Sequence, residues 1–87
     1  MSKRDFMRQE FIGLKVEVVS SPDKVYNHVH GRIVDETKNT LTVSGERKEW
    51  VVPKSHSEFL FTYEGKEIKI SGSEIQHRPE DRIKKIR

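Results

Sequence analysis

Five basic side chains fall within the last ten residues: Arg78, Arg82, Lys84, Lys85 and Arg87. Only Glu80 and Asp81 oppose them there, so this segment carries +3, which equals the formal charge of the whole chain. The rest of the chain is electrically balanced. Lys3, Arg4 and Arg8 form a second basic group near the start, and Arg32, Lys38, Asn39 and Lys54 fall in or beside expected turns. Lys and Arg neutralise phosphates and release counterions, which gives affinity without reading bases. A concentrated basic patch is the electrostatic footprint of a phosphate-bearing partner. An isolated basic tail also serves as a solubilising segment about as often. Aromatic residues are few, and Phe59 and Phe61 alternate as core residues do. Base stacking therefore has little support, and of the remaining aromatics only Trp50 and Tyr63 merit weighing for a surface role, with core packing favoured for Trp50. The expected mode is recognition of a folded RNA by its backbone and shape.

Other chemistry is weaker. Asp35-Glu36 is an acidic pair, but neighbours on a strand point to opposite faces. No serine stands in a nucleophile elbow, and there is no cysteine. Without a base–nucleophile set the chain is not expected to be an enzyme alone. His28 and His30 share a face if their stretch is extended, yet structural zinc sites want four ligands and catalytic ones three. His56 and His77 lie far off with no ligand-like spacing. No metal ligands are assigned.

These side chains need a scaffold, and 87 residues allow one domain. Leu, Ile, Val and Phe make up 23 residues, about 26% of the chain, above the roughly 20% that marks disorder. There is no alanine, and Val and Ile dominate, which favours strands. Leu14, Val16 and Val18 alternate with polar residues, as do Phe59 and Phe61, and Ile68 and Ile70. Gly31 to Glu36 and Leu41 to Val43 form two further strands around a turn at 37–40, where Asn39 tolerates positive φ, and Gly31 suggests a bulge. Trp50 to Val52 forms a short strand ended or placed at an edge by Pro53. Residues 2–11 suit a short helix, with Met7 and Phe11 on one face. A second helix starts near Pro79, acidic first and basic last. The expected fold is mainly β: a compact antiparallel barrel of five or six short strands, with short N- and C-terminal helices. The expected layout is a helical arm over 1–12, a barrel over 13–72 and a basic helix over 73–87. Phe6, Met7 and Phe11, with Ile83 and Ile86, make apolar stripes that either fold onto the barrel or seat a partner protein. No apolar run is long enough for a membrane span or a signal-peptide core, so the expected location is cytoplasmic.

Phe11 to Val19, Gly31-Arg-Ile-Val-Asp-Glu-Thr-Lys-Asn-Thr-Leu41, Val52-Pro-Lys54, Gly72-Ser73 and Arg78-Pro-Glu-Asp-Arg-Ile-Lys-Lys85 occur in an order and spacing that resemble archaeal ribonuclease P protein component 1. The resemblance covers most of the chain, with 22–29 its least similar stretch. It implies an Sm-like barrel in a ribonucleoprotein that removes the 5′ leader of precursor tRNA. It implies a non-catalytic subunit, bound to ribonuclease P RNA and paired with a zinc-ribbon protein subunit, with the catalytic centre and its magnesium ions on the RNA. Carried over by position, Arg32, Lys38, Lys54, Arg78, Arg82, Lys84 and Lys85 become RNA-contact candidates. Three rivals predict otherwise: a protein-binding barrel, a ring-forming Sm-type RNA chaperone, and a free-standing nuclease.

Overall fold

Alternating strands account for most of the chain. The computed structural model describes residues 3–85. Six strands follow in order: β1 (Lys15–Ser20), β2 (His30–Glu36), β3 (Thr40–Ser44), β4 (Glu49–Pro53), β5 (Glu58–Tyr63) and β6 (Lys66–Ser71). They form one antiparallel sheet in the order β4-β3-β2-β1-β5-β6. Helices α1 (Lys3–Met7) and α2 (Pro79–Lys85) flank it. Among the described residues, the helical arm expected over 1–12 is a helix over Lys3–Met7, and Phe11 lies beyond it.

One face of the sheet supplies the core. Val16 and Val18 of β1, Ile33 of β2, Leu41 and Val43 of β3, Val52 of β4, Phe59 and Phe61 of β5, and Ile70 of β6 form a single buried cluster. One face of six strands can bury itself this way only if the sheet curls. The hydrogen-bonded ladder does not close, since β4 and β6 are its ends. The curl instead brings the two ends together beyond the ladder, where Gly72 meets the Lys54 carbonyl. A Cβ on Gly72 would lie 1.7 Å from that oxygen. Because the obstacle is backbone, it cannot swing aside. Gly72→Ala is expected to cost about 1–3 kcal/mol or more, read as a lower urea midpoint with an unchanged m-value.

Gly31 answers a similar need, since a Cβ there would lie 2.0 Å from the Ser44 carbonyl oxygen. The β-bulge itself sits three residues later. Ile33 pairs with Val43, but Asp35 pairs with Thr42, leaving Val34 as the extra residue. Simple alternation from Ile33 would turn Asp35 inward. The bulge leaves Val34 and Asp35 both exposed and turns Glu36 into the interior.

The turn at 37–40 is held by hydrogen bonds between Thr37 and Thr40 rather than by positive φ at Asn39, and the Thr37 N–H donates to the Thr40 carbonyl at 3.0 Å. Thr37 Oγ1 lies 2.7 Å from Thr40 Oγ1 and accepts from the Thr40 N–H at 3.1 Å. Among non-glycine residues described, only His28, His56 and Glu64 have positive φ. At His28, φ is 67°, so the stretch is not extended and His28 and His30 do not share a strand face.

Candidate nucleic-acid interface

Glu36, turned inward by the bulge, organises the interface from beneath. Its carboxylate accepts from Lys54 Nζ at 2.9 Å and from Arg82 Nε and Nη2 at 3.1 and 2.9 Å. Lys54 Nζ also donates to the carbonyls of Ile75 and His77, at 2.9 and 3.1 Å. Arg82 Nη1 donates to the carbonyls of Met7 and Gln9, and the guanidinium lies 3.7 Å from the centroid of the Phe11 ring. Lys54 and Arg82 are both fully buried. One carboxylate faces two cations here. Four backbone carbonyls accept from the remaining donors, and every buried side-chain nitrogen and oxygen among the described residues is hydrogen-bonded. Burial pulls the Lys54 ammonium below its usual pKa, and the Arg82 charge adds to this. The hydrogen bond and charge of Glu36 oppose it.

This cluster corrects four expectations. Lys54 and Arg82 do not face RNA phosphates; they are interior cations held by Glu36. Phe6 and Phe11 do not form a partner seat; both are fully buried, stacked at 5.5 Å and packed against Phe61. Met7 is half-buried against the core, while Ile83 is 39% exposed. Arg87 and Ile86 lie outside the described residues. Lys3 and Lys85 are the end residues of α1 and α2.

The exposed RNA-contact candidates fall into two groups. Arg4 and Arg8 lie on and just after α1, Lys38 and Asn39 on the β2–β3 turn, and Arg78 and Lys84 before and on α2, all exposed. Hydrogen bonds draw these three segments together. The Asn39 carbonyl accepts from the Lys54 N–H at 2.7 Å, and Asn39 Oδ1 accepts from Gln76 Nε2 at 3.1 Å, which sets the turn beside the approach to α2. Arg82 then ties α2 to the end of α1. These links connect the α1 segment, the turn and the α2 segment, with the exposed cations they carry, into one part of the fold. Backbone-directed recognition of nucleic acid needs such spaced cations on a fixed frame.

Arg32 lies elsewhere, on the outer face of the sheet. It donates to the Gly13 carbonyl at 2.9 Å and sits opposite Lys15 across the β1–β2 ladder. Both line an open groove of about 700 Å³ with His30 and with Glu17, Glu46 and Glu67. The carboxylates make this groove a mixed field. Lys15 is not among the contacts expected from sequence, although its outward place in the β1 alternation marks it. Trp50 is half-buried, edge-on to Tyr26, with Lys48 Nζ 4.0 Å from its ring centroid; Tyr63 packs edge-on to Phe6. Neither is a free stacking platform. Among the described residues no three His, Cys, Asp or Glu side chains come together as a metal site.

Known proteins resemble this one over nearly its whole length. The family model for ribonuclease P/MRP, subunit p29, matches residues 4–85. A Pyrococcus furiosus protein named ribonuclease P protein component 1 is 45% identical over 86 residues, covering 98% of this chain and 68% of that protein. The protein of the same name from Methanosphaera stadtmanae is 44% identical, covering 98% of this chain and 92% of that one. Among solved structures, Mth11, described as a homologue of human RNase P protein Rpp29, superposes with a TM-score of 0.64 at 38% identity, covering 86% of this chain and 99% of that one.

Proposed function

This chain belongs to the ribonuclease P/MRP subunit p29 family, and we propose that it is the RNA-binding protein subunit of ribonuclease P. In this reading it steadies the catalytic RNA in the fold that removes the 5′ leader of precursor tRNA. The observation that carries it is the family match over residues 4–85, which spans both terminal segments and the turn that build the basic surface. The protein contributes binding and no reacting group. Exposed Arg4, Arg8, Lys38, Arg78 and Lys84 neutralise backbone phosphates and hold two stretches of RNA at a fixed separation. The RNA holds the catalytic centre and its magnesium ions, and precursor tRNA meets the protein only indirectly.

Two finer points belong to the same reading. A zinc-ribbon subunit pairs with this chain, and Ile83 on α2 offers an exposed apolar side chain to it. The complex works in the cytoplasm; no helix among the described residues is long and apolar enough to cross a membrane. Reconstitution tests the function. Ribonuclease P RNA is mixed with this protein and the zinc-ribbon subunit, and precursor-tRNA cleavage is followed at limiting magnesium. Faster 5′-leader removal than by the RNA with the zinc-ribbon subunit alone is the expected result. No gain from adding this protein would contradict it.

A further inference from the structure

We propose that Arg82 is a positioning residue for RNA binding: its buried guanidinium locks the two terminal basic segments into one cationic surface without itself reaching the RNA. This rests on the reading of the protein as an RNA-binding subunit. Over the described residues α1 has five residues and α2 has seven, both too short to hold their shape alone. Phe6 packs α1 into the core, and Arg82 joins that segment to α2. Its Nε and Nη2 grip the Glu36 carboxylate in a two-point fork, and its Nη1 reaches the Met7 and Gln9 carbonyls. The Met7 carbonyl belongs to the last turn of α1, where helix carbonyls have no partner within the helix. Phe11 closes over the opposite side of the same guanidinium.

Glu36 fixes the other end of the linkage to the barrel. Lys54 extends it from Glu36 to the Ile75 and His77 carbonyls, immediately before Arg78. A continuous chain of hydrogen bonds thus runs from the end of α1, through Arg82, Glu36 and Lys54, to the start of the basic tail. Arg4 and Arg8 ride on one end of it, and Arg78 and Lys84 on the other. Only a guanidinium can do this, because its donors spread in a rigid plane; a lysine offers one nitrogen at one point. Without the linkage the surface cations remain in the sequence. Their spacing must then be ordered on the RNA, at an entropic cost that lowers affinity.

The test compares the salt dependence of binding to ribonuclease P RNA for the wild type, Arg82→Met, Arg78→Gln and the double variant. In the wild type, Arg78→Gln is expected to reduce the log–log salt slope by about 0.9, the loss of one phosphate contact. Arg82→Met is expected to weaken binding by tenfold or more, and in its background Arg78→Gln should remove less than half of that slope. Equal effects of Arg78→Gln in both backgrounds, or undiminished binding by Arg82→Met, would overturn the proposal. If Arg82→Met loses the barrel's circular dichroism, Arg82→Lys decides by the same readouts. It keeps the buried charge but not the fork, so wild-type behaviour of Arg82→Lys overturns the positioning role. A wild type that binds without salt dependence would defeat the RNA-subunit reading itself. A normal wild type beside an unaffected Arg82→Met defeats the positioning role alone.

Discussion

Glu36→Ala is expected to lower stability by about 3–5 kcal/mol, the cost of leaving a buried charge without its partner. In this fold it strands two. Lys54 and Arg82 are fully buried and share the one carboxylate. Four backbone carbonyls remain to them, but these are dipoles and do not neutralise a full charge. A domain of this size has a total stability on the order of 5–10 kcal/mol, so most of the margin disappears. The melting temperature should fall by about 15 °C or more, read by circular dichroism at low protein concentration. A loss under about 1 kcal/mol would mean that water reaches the cluster and the cations are not buried as described. Replacing all three charges together with apolar residues of similar size is expected to recover much of the loss, because no charge is then left stranded.

The second large effect concerns binding rather than stability. Changing Arg4, Arg8, Arg78 and Lys84 together to Gln removes four exposed cations and leaves the buried cluster intact. Each phosphate contact contributes about 0.9 to the salt slope, so the loss of four should lower it by about 3.6. At about 0.2 M salt the affinity for ribonuclease P RNA should drop by roughly 10²-fold. Surface changes of this kind move stability by only a few tenths of a kcal/mol each, so the unfolding midpoint should hold nearly constant. Filter binding across a salt series, beside a thermal melt, separates the two quantities. A slope that does not change would place the RNA on another surface, and the Lys15–Arg32 groove would be the next to test.

The architecture was largely legible because period-two alternation is a direct record of one buried face. Val16 and Val18, Leu41 and Val43, and Phe59 and Phe61 each announce a strand and its inward side, and all six are core residues. Pro53 marked the end of an edge strand, and β4 is an edge strand ending there. The helix beginning at Pro79 was equally plain, with acid in its first turn. What stayed hidden was long-range. Arg82 and Lys54 look like surface cations in sequence, because charged side chains are almost never fully buried unless paired. Their partner Glu36 lies 46 and 18 residues away. It faces inward only because of the bulge at Val34, which alternation does not reveal. Phe6 and Phe11 looked like helix-face residues for the same reason. Their burial depends on how α1 folds back onto the barrel core, which local spacing does not encode.

The central claim is that this protein works bound to one structured RNA. Tagging it in the organism that makes it, purifying it gently and sequencing the RNA that accompanies it tests that claim most directly. Enrichment of a single structured RNA that cleaves the 5′ leader from precursor tRNA is the predicted result. A preparation free of RNA, or carrying a broad mixture of unstructured transcripts, would contradict the account.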